Sequence, residues 1–581
     1  MYKIKRISLL LFVIIISMAM VACGSPNETT SGENGVNGSF VGEAEGHNGK
    51  IKLNVTVENS EISKIDIVEN SESEFTKEVF DKLFKSIISK NSTEIDTVSG
   101  ATVTSEAVVI AVNDAIEKAG ITLTPKKVSE KDAEVKDVST DIVVIGGGGA
   151  GLTAAIEAKE NDADVILVEK NAFVGGNTNL ATGGLNAAET KYQSENGIED
   201  SAELFFEDTM KGGKNKNNPE LVKILTEKSA ETVDWLTEKG VDLTDVGVAG
   251  GASVERIHRP TGGAAIGAHL VETLEKKAKE LGVDIRVSTK AIEILNDEGK
   301  ATGIKVEDEN GNPYNINAKA VIIATGGFGA DQEKVVEFKP ELKGFGTTNA
   351  PVATGDALNL VKSFNAELVD INEIQTHPTV VPEKNKMITE AVRGNGAILI
   401  NRDAKRFIDE LETRDVVSAA ELEQEGQTAF LIFDQNVRES LKAIEGYHKA
   451  GLLIEADSVE ELGKAIDING TELKNTIDTY NSYVNNGKDK DFNRENMKTE
   501  LNKAPFYAVE VGPAVHHTMG GLKINTEAQV ISKSGEIIEG LFAAGEVTGG
   551  IHGANRLGGN ALSDITTFGR IAGKNAASLV K

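Results

Sequence analysis

One group of residues whose types and spacing suit chemistry is the glycine string Gly146-Gly147-Gly148-Gly149-Ala150-Gly151, which follows the apolar run Asp141–Ile145 and opens a helix expected from Leu152. In a strand–turn–helix setting this spacing makes a dinucleotide cradle. Gly146 permits the tight turn, Gly148 lets a pyrophosphate approach the backbone, and Gly151 lets the helix close on the strand. The free N–H groups at the helix N-terminus then face the phosphates. A second expected strand, Asp164–Val168, ends in Glu169, 23 positions after Gly146 (169 − 146), where an acid that holds a ribose belongs. Singly these glycines are turn formers; in this order they predict a dinucleotide site. A second group is the hydroxyl-rich run Asp96-Thr97-Val98-Ser99-Gly100-Ala101-Thr102-Val103-Thr104-Ser105. Taken alone, a Ser/Thr run before a helix is an N-cap.

Cys23 is the single cysteine of the chain. Lys3, Lys5 and Arg6 precede the apolar run from Ile7 to Ala22, which reads as a secretory signal over residues 1–22. The run is short, and its flanks are wrong, for a transmembrane helix. Met20-Val21-Ala22-Cys23 resembles a bacterial lipobox, in which the cysteine is diacylated and becomes the new N-terminus. A lone cysteine also rules out intrachain disulfides, and iron–sulfur clusters or thiol-ligated haem within the subunit. With no Arg-Arg pair, export by the general route is expected. The chain would then stand lipid-anchored on the outer face of the bacterial cytoplasmic membrane.

These residues need elements to hold them. At 581 residues the chain is too long for one core and is expected to form three or four domains. Residues 23–39 are rich in Gly, Ser, Asn and Thr and read as the lipidated Cys and a flexible tether. Alternating apolar residues at Ile51–Val57 and Ile62–Val68, then helical periodicity at Thr76–Ser89 and Ser105–Ala119, predict a small α+β domain over 40–121. A charged linker, 122–138, leads to the glycine-string domain. The net charge of −29 excludes nucleic acid as a partner, and any anion site must be locally basic.

The Asp96–Ser105 string resembles the FMN-binding domain family of sodium-pumping quinone reductase subunits and of some fumarate and urocanate reductases. That resemblance implies that a flavin transferase joins FMN by a phosphoester to Thr102, with Thr104 as the fallback. Beyond Ser139, Glu169-Lys170-Asn171-Ala172-Phe173-Val174-Gly175-Gly176-Asn177-Thr178, Ala181–Ala187, Ala324–Phe328, Thr354-Gly355-Asp356 and Leu541–Glu546 resemble the fumarate reductase and succinate dehydrogenase flavoprotein superfamily, in particular the flavocytochrome c fumarate reductases. The resemblance implies non-covalent FAD, since Gly183-Gly184-Leu185-Asn186 offers no His for a covalent bond. The implied contacts are Gly146, Gly148, Gly149, Ala150, Gly151, Glu169, Asn177, Thr178, Gly183, Gly184, Asp356, His517, Glu546 and Leu562. It implies an α/β fold, with a Rossmann-like FAD-binding domain over 139–370 and 516–581 interrupted by an α+β capping domain over 371–515. No CxxCH haem motif is present, so FMN is expected to take the place of haem as electron relay, fed by a membrane donor such as a menaquinol-linked dehydrogenase.

Reducing an activated alkene needs carboxylate anchors, a hydride donor and an acid on the opposite face. The family's motifs match at Gln375-Thr376-His377-Pro378-Thr379, Thr389-Glu390-Ala391-Val392-Arg393, Thr413-Arg414-Asp415, His516–Gly521 and His552–Arg556. The resemblance implies that His377 and Thr389 hold one carboxylate of fumarate, and His516 and Arg556 the other. It makes Arg414 the acid, resupplied through Glu390 and Arg393, with succinate as product. Spacing alone would make Arg414 an anchor, since a free guanidinium keeps its proton above about pH 12. Urocanate reductases replace the His and the Thr-Glu pair, so His377 and Thr389-Glu390 favour fumarate over urocanate or other enoates. An electron carrier without catalysis is the alternative of another class.

Overall fold

Between Gly38 and Asn70 apolar residues alternate with polar ones, and this period of two produces strands with one buried face. In the computed structural model, which describes residues 35–46, 49–72, 76–95, 97–98, 101–126, 136–497 and 499–581, these strands form an antiparallel meander. Its members are Gly38–Glu45, Lys50–Glu58 and Glu61–Asn70. Ile51, Leu53, Val55 and Val57 are fully buried beneath helices Lys77–Lys90 and Thr102–Ala119. The second helix crosses the first strand at Gly42, where a Cβ would stand 1.8 Å from the Ala111 carbonyl oxygen. Of Thr102 only the backbone is described, and Cys23 and the export segment lie outside the described residues.

Two expected boundaries shift. Gly38 and Ser39 already pair with Val57 and Thr56, and the backbone N–H of Ser60 donates to the Val36 carbonyl at 2.9 Å. Residues 38 and 39 therefore belong to the sheet, and Val36 is tied to it, because backbone pairing does not need the apolar side chains that a composition reading looks for. Likewise 122–126 is tied down, with Lys126 N–H donating to the Lys90 carbonyl and the Asn91 amide to the Thr124 carbonyl. Of the expected linker, 127–135 lies outside the described residues, and Val138 already opens a strand.

That strand, Val138–Ile145, lies between Val165–Val168 and Pro313–Ile323, parallel to both. Asp284–Arg286 and Ile537–Ala543 extend the parallel sheet on either side, and antiparallel strands complete eight. Ile142–Ile145 and Val165–Val168 are buried without alternation, as in a sheet covered on both faces. Helices Gly149–Glu160 and Asn560–Val580 pack together closely, since a Cβ on Gly573 would come 2.3 Å from the Ala154 carbonyl oxygen.

The segment expected as a cap builds a six-stranded sheet of its own. Its long strand, Phe506–Thr518, pairs with Ile374–Val381 on one side and Ala429–Asp434 on the other. The expected boundary at 515/516 falls inside this strand. His516 and His517 are thus the end of a cap strand and not the start of the returning FAD segment. Ladder pairing carries the strand across a point where sequence motifs change. Ala172 and Phe173, just past Glu169, are buried in the core of the N-terminal unit, and Lys82 of that unit donates to Ser288 and Glu309 at 3.1 and 3.0 Å. Among the described residues no helix is long and apolar enough to cross a membrane.

Candidate active site

The parallel strands deliver Ile145, Val168, Ala324 and Ala544 to the rim of a cleft of about 860 Å³. Clefts at the carboxyl ends of such strands are where α/β sheets bind ligands. Of the expected cofactor residues, Gly146, Gly148, Gly149, Ala150, Glu169, Asn177, Thr178, Asp356 and Glu546 line it. A Cβ on Gly148 would meet no atom nearer than 3.8 Å, so the cradle is open at the point where a pyrophosphate must approach. Gly148 caps the following helix without a side-chain bond, leaving the helix N-terminus for an anion.

The acids of the cleft are held by backbone. Glu169 accepts from the N–H groups of Gly147 and Asn171 at 2.7 and 2.8 Å, and burial pushes its carboxyl up. Glu546 accepts from Thr518 N–H at 3.0 Å and is also raised by burial. Burial would raise Asp356 too, but Lys170, donating at 2.7 Å, holds it below the usual range. These donors and acids, with the open glycine cradle, fit FAD.

Five expected residues do not line the cleft. A Cβ on Gly151 would stand 1.9 Å from the Gly146 carbonyl oxygen, so its role is to let helix and strand close. Gly184 packs on the His258 carbonyl, with a Cβ distance of 2.3 Å, and Gly183 faces Ile257. Leu562 sits in the core, and Ile565, three residues along the same helix, lines the cleft instead. His517 turns its ring edge to His552 at 5.3 Å.

Arg414 opens helix Arg414–Leu422 and points into the junction between cap and FAD sheet. Its Nε donates to Glu390 Oε2 at 2.7 Å and its Nη1 to Gln375 Oε1 at 3.2 Å. The other Glu390 oxygen accepts from the N–H of Gly250. Arg393 Nη2 stands 3.9 Å from Glu390 Oε2, and its Nη1 donates to the Glu410 carbonyl at 2.5 Å. Burial would raise the Glu390 carboxyl, but the cations of Arg414 and Arg393 hold it at about 2. Arg414 is thus hydrogen-bonded to Glu390, and Arg393 stands within ion-pair distance of the same carboxylate.

His377, from strand Ile374–Val381, is fully buried. Its Nδ1 accepts from Thr379 N–H at 3.2 Å, while its Nε2 has no protein partner. Its ring meets His516 edge-on at 5.1 Å, and His516 Nδ1 is oriented by the Thr348 hydroxyl at 2.7 Å. Thr389 is carried alongside by the hairpin in which Ile388 N–H donates to the Thr379 carbonyl, and its own N–H donates to the Tyr447 hydroxyl at 2.9 Å. Arg556 donates one Nη to the Leu557 carbonyl and leaves Nε without a protein partner. Burial, then the nearby Arg414, lowers Arg556 to about 9. Burial and the same arginines push His377, His516 and His517 well below the usual imidazole range, so these rings are neutral. Three guanidiniums against one ionised carboxylate make this pocket basic inside an acidic chain.

The spacing of motifs did not reveal Gln375 as a bridge. Its amide donates to Asn555 Oδ1 and to the Arg556 carbonyl at 2.6 and 2.7 Å while its oxygen takes Arg414, so it ties Arg414 to the Arg556 backbone. Gly250, Thr348 and Tyr447 were also unmarked, being brought in from distant segments. In the N-terminal unit, Thr102 heads its helix, with a side chain outside the described set, while the buried Thr104 hydroxyl donates to Glu72 at 2.7 Å.

The family model described as FAD binding domain matches residues 141–562, and the one described as FMN-binding domain matches residues 46–117. The chain is 52% identical, over 460 residues, to a fumarate reductase (cytochrome) of Shewanella frigidimarina, covering 78% of this chain and 81% of that one. It is 40% identical to an NADH:fumarate oxidoreductase of Klebsiella pneumoniae over 93% of this chain and 58% of that protein. Among solved structures, the open conformation of a flavocytochrome c3 fumarate reductase superposes with a TM-score of 0.64 and 44% identity, covering 76% of this chain and 79% of that one.

Proposed function

The chain belongs to the FAD-binding flavoprotein family that contains the Shewanella frigidimarina fumarate reductase, and carries an FMN-binding domain before it; from this we propose that it reduces fumarate to succinate. It is an FAD-dependent oxidoreductase, and reduced FAD, when bound, supplies the hydride. The observation that carries the reading is one buried basic pocket, in which the His377 and His516 rings meet at 5.1 Å close to the charges of Arg414 and Arg556, and nitrogens of His377 and Arg556 have no partner in the protein. In the family reading His377 with Thr389, and His516 with Arg556, make two anchor pairs, which suit two carboxylates. An enoate with one carboxylate would leave buried donors unpaired, at about 1–3 kcal/mol each.

In this reading His516 and Arg556 hold the carboxylate that takes up negative charge as hydride adds to the alkene, and stabilise that charge. Arg414 gives a proton to the neighbouring carbon. Glu390, bonded to Arg414 Nε, then returns a proton that Arg393 supplies. Gln375 keeps Arg414 and the Arg556 backbone in fixed relation. The test is a panel of fumarate, urocanate and acrylate, assayed with the holoprotein and a reduced dye. Fumarate should be turned over far faster than the others; efficient urocanate reduction without fumarate activity would reassign the substrate, and no dye oxidation with any enoate would favour the electron carrier.

The same reading includes a lipid anchor on Cys23, the outer membrane face as location, and covalent FMN on Thr102, fed by a membrane donor. Alkyne fatty-acid labelling that persists in Cys23→Ser would remove Cys23 as the acylated residue.

A further inference from the structure

Helix Arg414–Leu422 carries a second buried acid that the reaction outlined above does not use. Glu421 is fully buried, and neither of its carboxylate oxygens has a hydrogen-bond partner in the protein. Unpartnered buried carboxyls are rare and need an explanation. Seven residues separate it from Arg414, two turns of helix, so both stand on one face about 10 Å apart along the axis. Ser418, four residues after Arg414 on that same face, is also buried, and its hydroxyl also lacks a partner. Arg393, fully buried, is near enough for its charge to act on Glu421, and its Nε and Nη2 make no hydrogen bond within the protein. Five unsatisfied polar atoms on three neighbouring side chains suit ordered water, which settles where two to four polar groups converge.

We propose that Glu421 is the next proton source behind Arg393, handing its proton across water held by Ser418, so that one helix carries both ends of the acid relay. This rests on the fumarate reductase reading of the same site. After Arg414 has given its proton to the substrate carbon, the ionised Glu390 takes a proton from Arg393 and passes it to Arg414. Arg393 then takes the carboxylic proton of Glu421, and the Glu421 carboxylate regains one from solvent. One proton enters and one leaves. The direction of the shifts suits this hand-over: burial lowers Arg393, and burial raises the Glu421 carboxyl well above the usual range against the pull of the Arg393 charge. Arg393 is the charged group that acts on Glu421. From the strands packed on the helix, Gln375 and His377 of Ile374–Val381 and His516 of Phe506–Thr518 face its Arg414 end.

The test is dye-driven fumarate reduction by the flavin-loaded protein, comparing wild type with Glu421→Gln, which keeps the shape of the protonated acid, and Ser418→Ala. Glu421→Gln should lower kcat by about 10-fold or more and keep KM within a factor of about two. Its solvent deuterium isotope effect should rise. The limb of the kcat–pH profile that ionisation of Glu421 sets in the wild type should be absent from the variant. Ser418→Ala should raise the isotope effect in the same direction, and it carries the test alone if Glu421→Gln melts early. Wild-type kcat, pH profile and isotope effect in both folded variants would overturn the relay. A wild-type protein inert toward fumarate would instead overturn the reading beneath it, and the relay with it.

Discussion

At the scale of single residues, the site is a balance of buried charge. Arg414→Ala should lose turnover by at least on the order of 10²–10⁴-fold and still bind a dicarboxylate, because the four anchors lie on other elements. Turnover within a few-fold of wild type, in a dye assay, would exclude Arg414 as the acid. The titration directions give a second expectation. His258, His377, His516 and His517 are all held below 6.5, His258 at about 4, so these four rings bind fewer protons in the folded chain than in the unfolded one below that pH. Their contribution to stability is present above pH 6.5 and is lost as pH falls, while the raised carboxyls of Glu169, Glu546 and Glu421 act in the opposite sense. Glu390, depressed from 4.5 to about 2, adds a second loss between those values, on the order of 3 kcal/mol. His258→Asn, which removes one of these rings, should lose less thermal midpoint than wild type between pH 7 and pH 5. An equal change in both proteins would contradict a neutral His258.

At the scale of elements, the glycine string separates two jobs that a motif merges. Gly148 faces the open cleft, whereas Gly151 lies 1.9 Å, at a built Cβ, from the Gly146 carbonyl oxygen. Gly148→Val should leave a folded protein that loses flavin absorbance on gel filtration, because its side chain would fill the pyrophosphate path. Gly151→Val should disturb the helix–strand contact itself and lower the thermal midpoint of the apoprotein. Equal effects on both readouts would merge the two roles. Such local jobs were legible because strand–turn–helix spacing is set within a few residues. The alternation in Lys50–Glu58 and the apolar run Ile142–Ile145 were legible for the same reason. Gln375, Gly250, Thr348 and Tyr447 were not, because each acts through a contact with a segment tens to hundreds of residues away. The 515/516 boundary failed on a related point: the Phe506–Thr518 ladder runs on past a change of motif.

At the scale of the whole molecule, the N-terminal unit is docked. Ala172 and Phe173, three and four residues past Glu169 of the FAD cleft, complete its core, and Lys82 reaches Ser288 and Glu309. Burial lowers Lys386 of the cap hairpin while Glu72 of the N-terminal unit opposes that shift, so the unit also meets the cap. The helix that opens at Thr102, on which FMN is proposed to sit, belongs to this docked unit. Thr104, the fallback attachment residue, has its hydroxyl buried and donated to Glu72, whereas Thr102 stands at the helix start. Thr102→Val should therefore abolish covalent FMN and spare the FAD site. Valine matches threonine in outline and lacks the oxygen that a phosphoester requires, so the fold should survive. Small reduced dyes reach FAD directly, and fumarate reduction with them should stay near normal, while electron flow from membranes should fall sharply. In-gel flavin fluorescence after denaturation, measured beside both activities, separates the outcomes. A fluorescent band that persists would move the bond away from Thr102. A lost band with undiminished membrane-driven reduction would remove FMN from the electron path.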